Sequence, residues 1–216
     1  MIIQATHHKK IPAVILAGGC GERMGGRDKC LLPLGERTLL AHVVQRLNGQ
    51  CGAIYLNANG DATRFNEYGL EVIPDQHMPA IGPLGGLHSG LLHTVQTELE
   101  NKASPQWLLT VPGDCPFLPE DLLARLIKAS DSSTEVVYCH SAGRDHFVVA
   151  LWSCNIVPKL AAFIDSGKRS VGEFIQTLSH QYVEFEKDNT FDIDPFFNIN
   201  THEQWQHAVT LLASHG

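Results

Sequence analysis

Residues 13–32 read AVILAGGCGERMGGRDKCLL, and this stretch decides the fold. It opens on a short apolar run, Ala13 to Leu16, of the kind a strand buried on both faces shows. Gly18, Gly19, Gly21, Gly25 and Gly26 follow, alternating with Arg23, Arg27, Asp28 and Lys29. Glycines at this density forfeit chain entropy and bury almost nothing, so an ordinary connection has no use for them. They do let bare backbone N–H groups approach a ligand. Arg23 and Lys29 add positive charge to the same loop, and backbone donors with two kinds of cation suit a polyphosphate. The expected ligand is a nucleoside triphosphate.

Two better-known phosphate loops fail on residues. No Gly-Lys-Ser/Thr occurs, since Gly167-Lys168 is followed by Arg169, so there is no P-loop of the G-x-x-x-x-G-K-[ST] kind. The dinucleotide fingerprint G-x-G-x-x-G begins at Gly19-x-Gly21 but meets Met24 at its last position. What remains, L-A-G-G-x-G-x-R-M-G and then D-K, resembles the signature loop of nucleotidyltransferases that couple a nucleoside triphosphate to a phosphate-bearing acceptor.

The bulk numbers agree with a small anionic substrate. The 216 residues suit one α/β domain with a real core, and 44% hydrophobic with 18% charged residues are globular values. A net charge of −7 argues against a nucleic-acid partner, although the balance reverses locally between Gly21 and Lys29. The six cysteines form no C-x-x-C pair, which excludes the common zinc and redox motifs and favours reduced thiols. Residues 1–10 are polar and read as a flexible tail. The apolar run after them is too short for a signal-peptide core or a membrane span, so a cytoplasmic address without membrane contact is expected.

Along the chain, strands alternate with helices. Thr38 caps an expected helix bearing Leu39, Leu40, Val43, Val44 and Leu47, which Asn48-Gly49 ends. Residues 53–56 and 71–73 read as the next strands, with Asn57 and Asp75 near their carboxyl ends, where ligands collect in open α/β sheets. Either residue could equally be an ordinary turn former. The segment Gly82-Pro83-Leu84-Gly85-Gly86-Leu87 opens a helical pattern; taken alone its glycines serve tight packing or ligand contact equally, and beside the first glycine loop ligand contact is expected; residues 97–106 read as a polar connector. Residues 107–111 form the fourth strand and deliver Asp114 between Pro112-Gly113 and Pro116. A single fixed carboxylate opposite a polyphosphate loop is what Mg²⁺ needs, because it takes its other ligands from water and phosphate. Helical patterns cover 119–129, 156–166 and 171–178, and residues 135–140 and 147–152 read as strands joined by a hairpin-like turn. Arg144 and His146 are candidate contacts to a second substrate, and residues 167–170 either meet an acceptor phosphate or connect the surface. Asn198 and Asn200 share one side of an extended segment before a last helix capped by Thr201, which is expected to bury Trp205, Val209 and Leu212. No repeat or linker divides residues 1–216, and the alternation argues for one domain with a three-layer, mainly parallel α/β fold.

With these pieces placed, the chain resembles the molybdenum cofactor guanylyltransferases over most of its length from Ala13 to Trp205. The similarity rests on LAGGCGERMGGRDK at 16–29, LNANG at 56–60, VIPD at 72–75, GPLGGL at 82–87, VPGDCPF at 111–117, GRDH at 143–146, VALW at 149–152 and NINT at 198–201. The resemblance implies a Rossmann-like α/β/α fold of the nucleotide-diphospho-sugar-transferase kind, and GTP, Mg²⁺ and molybdopterin-bound molybdenum as reaction components. GMP would pass to the pterin's phosphate with release of pyrophosphate. It implies Leu16, Ala17, Gly18 and Lys29 at the nucleotide, Asn57 and Asp75 at guanosine, Asp114 at the metal, and Arg23, Lys29 and Asp114 as catalytic residues. A monomer is compatible with this, as are contacts with cofactor-delivery or molybdoenzyme-maturation proteins. A transferase using CTP or another triphosphate, or a nucleotide-binding module without catalysis, are the alternatives. Three positions depart from the family pattern: Gly113 before Asp114, Phe147 where a proline follows Asp-His, and His202 where a proline follows Asn-Thr.

Overall fold

The computed structural model describes residues 11–17, 28–77, 80–100, 106–187 and 192–214. The nucleotide-loop residues 18–27, with Gly18 and Arg23, and the expected tail 1–10 lie outside the described residues. Strands β1 (Ala13–Leu16), β4 (Ile54–Asn57), β5 (Glu71–Ile73) and β6 (Trp107–Pro112) form the parallel half of a seven-stranded sheet; with β7 (Val136–Ser141), β8 (Arg144–Ser153) and β9 (His180–Phe185) its order is β5-β4-β1-β6-β8-β7-β9. A two-stranded hairpin, β2 (Pro33–Leu34) with β3 (Arg37–Thr38), stands apart from it. From β1 the chain moves outward to β4 and β5, then returns to lay β6 on the other side of β1. The order therefore reverses between β1 and β6, and a crevice opens at the carboxyl ends of those two strands.

Beyond β6 the sheet changes direction. Strand β8 (Arg144–Ser153) runs antiparallel to β6 and to β7 (Val136–Ser141), and β9 (His180–Phe185) closes the edge parallel to β7. Because β8 is reversed, its first residues sit on the same rim as the last residues of β1, β4 and β6. The sequence reading found the pair around the 141–144 turn but not β9, whose alternation is weak because Gln181, Tyr182 and Glu184 are exposed.

Helices cover both faces. Helix α1 (Leu39–Leu47) is capped as expected, Ala41 N–H donating to Thr38 Oγ1 at 3.2 Å. Its Leu40, Val43 and Leu47, with Leu122, Leu123 and Leu126 of α3 (Leu122–Ala129), bury one face through Ile15, Leu56, Leu109 and Val111. On the other face α2 (Pro83–Glu100), α4 (Val157–Asp165) and α5 (Val171–Ile175) set Leu84, Leu87, Leu91, Phe163 and Phe174 against Val14, Tyr55, Leu108 and Trp152. The three-layer, mainly parallel α/β/α fold expected from the sequence is what forms.

The boundaries differ in places. Helix α2 runs on to Glu100, taking residues 97–100 from the expected connector, and α3 begins at Leu122 rather than residue 119. The last helix, α6 (His202–Ala213), fully buries only Ala208; Trp205, Val209 and Leu212 pack half-buried over a third small core around Leu34, Phe117 and Ile199. The proline missing at His202 is offset by a capping box, in which Thr201 Oγ1 accepts from Gln204 N–H and Gln204 Oε1 accepts from Thr201 N–H at 3.0 Å.

One buried polar link ties the two halves of the sheet. Trp152 Nε1–H on β8 donates to Thr110 Oγ1 on β6 at 2.8 Å, and Thr110 Oγ1–H donates to Val148 O at 2.7 Å. Thr110→Val keeps the shape and orphans the indole N–H. The expected loss is about 1–3 kcal/mol of unfolding free energy, read as a lower urea midpoint with an unchanged slope.

Candidate functional site

The site grows from the rim where β1, β4 and β6 end. Ala17 follows β1, and its N–H is spent on the carbonyl of Asn57 at 2.9 Å, while the carbonyl of Leu16 accepts from Gly113 N–H at 3.0 Å. These two residues therefore tie β1 to its neighbours and fix where the glycine loop leaves the sheet. The loop's return is Asp28-Lys29 at the start of a 3₁₀ turn, Lys29–Leu31. Asp28 is ion-paired with Arg64, whose guanidinium also donates to the carbonyl of Asn59 at 2.6 Å. Arg64 thus pins the Asp-Lys ending to the loop after β4. Nothing in the local sequence around Arg64 signals that role, since its partners are 36 and 5 residues away.

At the end of β4, Asn57 is buried and donates from Nδ2 to Ile73 O at 3.1 Å and to Asp75 Oδ1 at 2.9 Å. Asn59 completes the clamp, its Nδ2 donating to Asp75 Oδ2 and its Oδ1 accepting from Asp75 N–H, both at 2.9 Å. The carboxylate of Asp75 is held at both oxygens by neutral amides, which fixes its orientation. Sequence reasoning singled out Asn57 and Asp75 but passed over Asn59. The i, i+2 spacing that linked Asn198 with Asn200 would have found it. The sequence suggests ligand contact for the glycines at the start of α2, but at Gly86 the structure shows close packing: a Cβ there would lie 2.2 Å from Asn57 Oδ1. The helix can approach Asn57 only because that residue has no side chain.

Across the crevice, Asp114 follows β6. It is buried, ion-paired with Lys29, and accepts from Asn198 Nδ2 at 2.6 Å through Oδ1. Lys29 Nζ also donates to Asn200 Oδ1 and lies 3.5 Å from Asn198 Oδ1. Burial pushes the Asp114 carboxyl above the ordinary carboxylate value, and the Lys29 ammonium beside it pulls back. The segment carrying the asparagines is docked by backbone as well, Ile199 N–H donating to Asp114 O at 3.1 Å. Gly113 is tightly placed, since a Cβ on it would lie 3.2 Å from Cys30 Cβ.

The donor set at Asp114 suits a hard cation. Carboxylate and amide oxygens of Asp114, Asn198 and Asn200 converge on one positive charge, the Lys29 ammonium. Among the described residues no cluster of three or more His, Cys, Asp or Glu side chains could hold a metal. A divalent ion here would have to complete its shell with water and phosphate oxygens, which is the habit of Mg²⁺.

Beside Asn198 and Asn200 opens a cavity of about 530 Å³, walled by Phe147 and Val149 of β8, Gly172 of α5, and Phe196 and Phe197. His146, one of the two candidate second-substrate contacts in the sequence, lines it, and Arg144, the other, stands exposed at its edge. Ser170 reaches this cavity, but Lys168 and Arg169 do not line it; Arg169 donates to the carbonyls of Ile164 and Lys168. Cys115 is buried with its thiol pushed well up by burial, as a packing residue would be.

The model of the MobA-like NTP transferase domain matches residues 13–182. The molybdenum cofactor guanylyltransferase of Rhodopseudomonas palustris (strain BisB5) is 42% identical over 198 residues, 91% of this chain and 91% of that protein. In three dimensions the chain overlays the molybdopterin-guanine dinucleotide biosynthesis protein A of Archaeoglobus fulgidus with a TM-score of 0.72 at 20% identity, covering 94% of this chain and 100% of the other. The 4-diphosphocytidyl-2C-methyl-D-erythritol synthase of Anaerococcus prevotii overlays at 0.68 with 16% identity over 97% and 99% of the two chains, a likeness of fold alone. A domain model covering more than half of the chain, and a relative this similar over nine-tenths of both chains, decide the assignment: the chain belongs to the MobA-like NTP transferase family, among the molybdenum cofactor guanylyltransferases.

Proposed function

We propose that this chain, residues 1–216 acting as one cytoplasmic domain, transfers GMP from GTP to the phosphate of molybdopterin-bound molybdenum cofactor and releases pyrophosphate. The observation that carries the reading is the meeting of Lys29, Asp114, Asn198 and Asn200 at the rim between β1 and β6. A buried carboxylate and a cation in that crevice are what a triphosphate and its metal require.

The reaction is an in-line displacement at the α-phosphorus of GTP. An oxygen of the acceptor's phosphate forms the new P–O bond as the bond to pyrophosphate breaks. That oxygen is already ionised near neutral pH, because the second pKa of a phosphate monoester is about 6, so no general base is needed. Positioning and charge neutralisation do the rest. Lys29 and Arg23, with the loop amides that begin at Gly18, stabilise the leaving pyrophosphate. Leu16 and Ala17, tied to Gly113 and Asn57 through their backbone, stand at the nucleotide where the loop leaves the sheet. Asp114 holds Mg²⁺, which when bound supplies neutralisation of phosphate charge. Asp75, fixed by Asn57 and Asn59, accepts from the N1–H and N2–H₂ edge of guanine. Cytosine offers a carboxylate only its single amino group, which supports GTP over CTP.

The deciding experiment supplies purified chain with molybdenum-loaded molybdopterin, Mg²⁺ and either GTP or CTP. Pyrophosphate release with GTP, and a guanine dinucleotide product, are expected. Release with CTP alone, or with neither, overturns the reading.

Two variants test the roles. Asp114→Ala should lower turnover by at least about a hundredfold, the scale of a lost electrostatic stabiliser, while calorimetry still detects GTP. In the wild type, EDTA should abolish activity and added Mg²⁺ restore it. Gly86→Ala should force Asn57 aside and weaken the grip on Asp75, raising the KM for GTP about tenfold while the acceptor's KM stays within about twofold, as read by steady-state kinetics.

A further inference from the structure

The cavity beyond Asn198 holds a polar group that the transfer itself does not use. His146 leaves β8 beside the ring of Phe196, centroids 4.8 Å apart, and its Nε2 lies 2.7 Å from Ser141 Oγ on β7. Ser141 Oγ in turn lies 2.8 Å from Asp194 Oδ1, which also takes the N–H of Phe196 at 2.8 Å. A carboxylate can only accept, so the single hydroxyl proton of Ser141 goes to Asp194. Ser141 must then accept from His146, which places the imidazole proton on Nε2. The lone pair falls to Nδ1, which has no partner among the described residues and belongs to a side chain lining the cavity. Burial pushes the imidazole pKa down, and Arg144 and His140 act in the same direction against Asp194 and Asp145. With its proton on Nε2 toward Ser141, the imidazole keeps an acceptor at Nδ1.

That distinguishes the two ends of the acceptor. A phosphate bears no hydrogen to give and calls for a cation or an N–H donor. A pterin ring carries ring and amino N–H groups and a flat face that aromatic walls cover. We propose that His146 is a specificity-determining residue for the acceptor, its Nδ1 receiving a hydrogen bond from an N–H of the pterin ring within the cavity walled by Phe147, Phe196 and Phe197. The inference rests on the reading that the acceptor is a pterin phosphate.

Two substitutions separate this role from a structural one. His146→Gln places an amide nitrogen where Nε2 stood, keeping the donor to Ser141 and losing the acceptor at Nδ1. His146→Asn does the reverse, offering an oxygen near the Nδ1 position and releasing Ser141. The probe is neopterin monophosphate, titrated into the full chain by its own fluorescence, with glycerol phosphate as the ring-free competitor. His146→Gln should weaken the pterin about tenfold, His146→Asn by less than about threefold, and neither should change the calorimetric Kd for GTP. Equal losses, a larger loss with Asn than with Gln, no loss with Gln, or no binding by the wild type would each overturn the proposal. Glycerol phosphate should compete poorly; competition as strong as the pterin's own would overturn it too. Failure of the wild type to transfer GMP refutes the transfer reading instead and leaves this titration readable.

Discussion

A carboxylate taken out of water needs a positive partner, and Asp114 is placed so that only Lys29 supplies one among the described residues. An isolated buried charge costs several kcal/mol, so the 3₁₀ turn carrying Lys29, the turn after β6 and the segment at 198–200 are held to one another by that requirement. The pair joins positions 85 residues apart, and the asparagines extend it to the last sixth of the chain. Core packing on either face of the sheet positions β1 and β6; the ion pair decides what their ends can do. Three hard oxygens around one cation make a place where positive charge is stabilised before any substrate arrives.

Much of the fold was legible because its signals are local. Apolar runs of four or five residues marked β1, β4 and β6, and the leucine spacing with a threonine cap marked α1. What escaped is what depends on partners. Strand β9 has an exposed face, so its residues alternate poorly, and only pairing with β7 makes it a strand. The β2–β3 hairpin is two residues a side. Trp205 is large and apolar, which suggested burial, yet its indole N–H needs Pro33 O and so it rests half-covered at the surface.

The site divides in the same way. Lys29 and Asp114 could be read from residue chemistry at strand ends, and Asn57 and Asp75 from their place beyond β4 and β5. Their mutual contacts could not, because nothing in a linear sequence says that residues 29, 114 and 200 meet. Arg64 and Asn59 work through loop geometry, and Ser141 and Asp194 through a tertiary relay to His146, so each looked like an ordinary surface polar residue. Gly86, taken together with the first glycine-rich loop, suggested ligand contact, and only the distance to Asn57 shows that it serves packing.

The reversed strand β8 carries a consequence for how such proteins diversify. Apart from Asn198 and Asn200, the residues placed toward the nucleotide come from the first 114 positions, while the walls of the neighbouring cavity come mostly from positions 144–204. The two stretches are joined along the β6–β8 ladder and in the cores on both faces of the sheet, but the side chains that wall the cavity hang mostly on the later one. Inheritance can therefore change the exposed cavity walls of the later stretch, altering which molecule receives the transferred group, while its asparagines and its buried strand residues stay as they are. One scaffold can in this way seed enzymes with unlike acceptors while its chemistry of departure stays fixed.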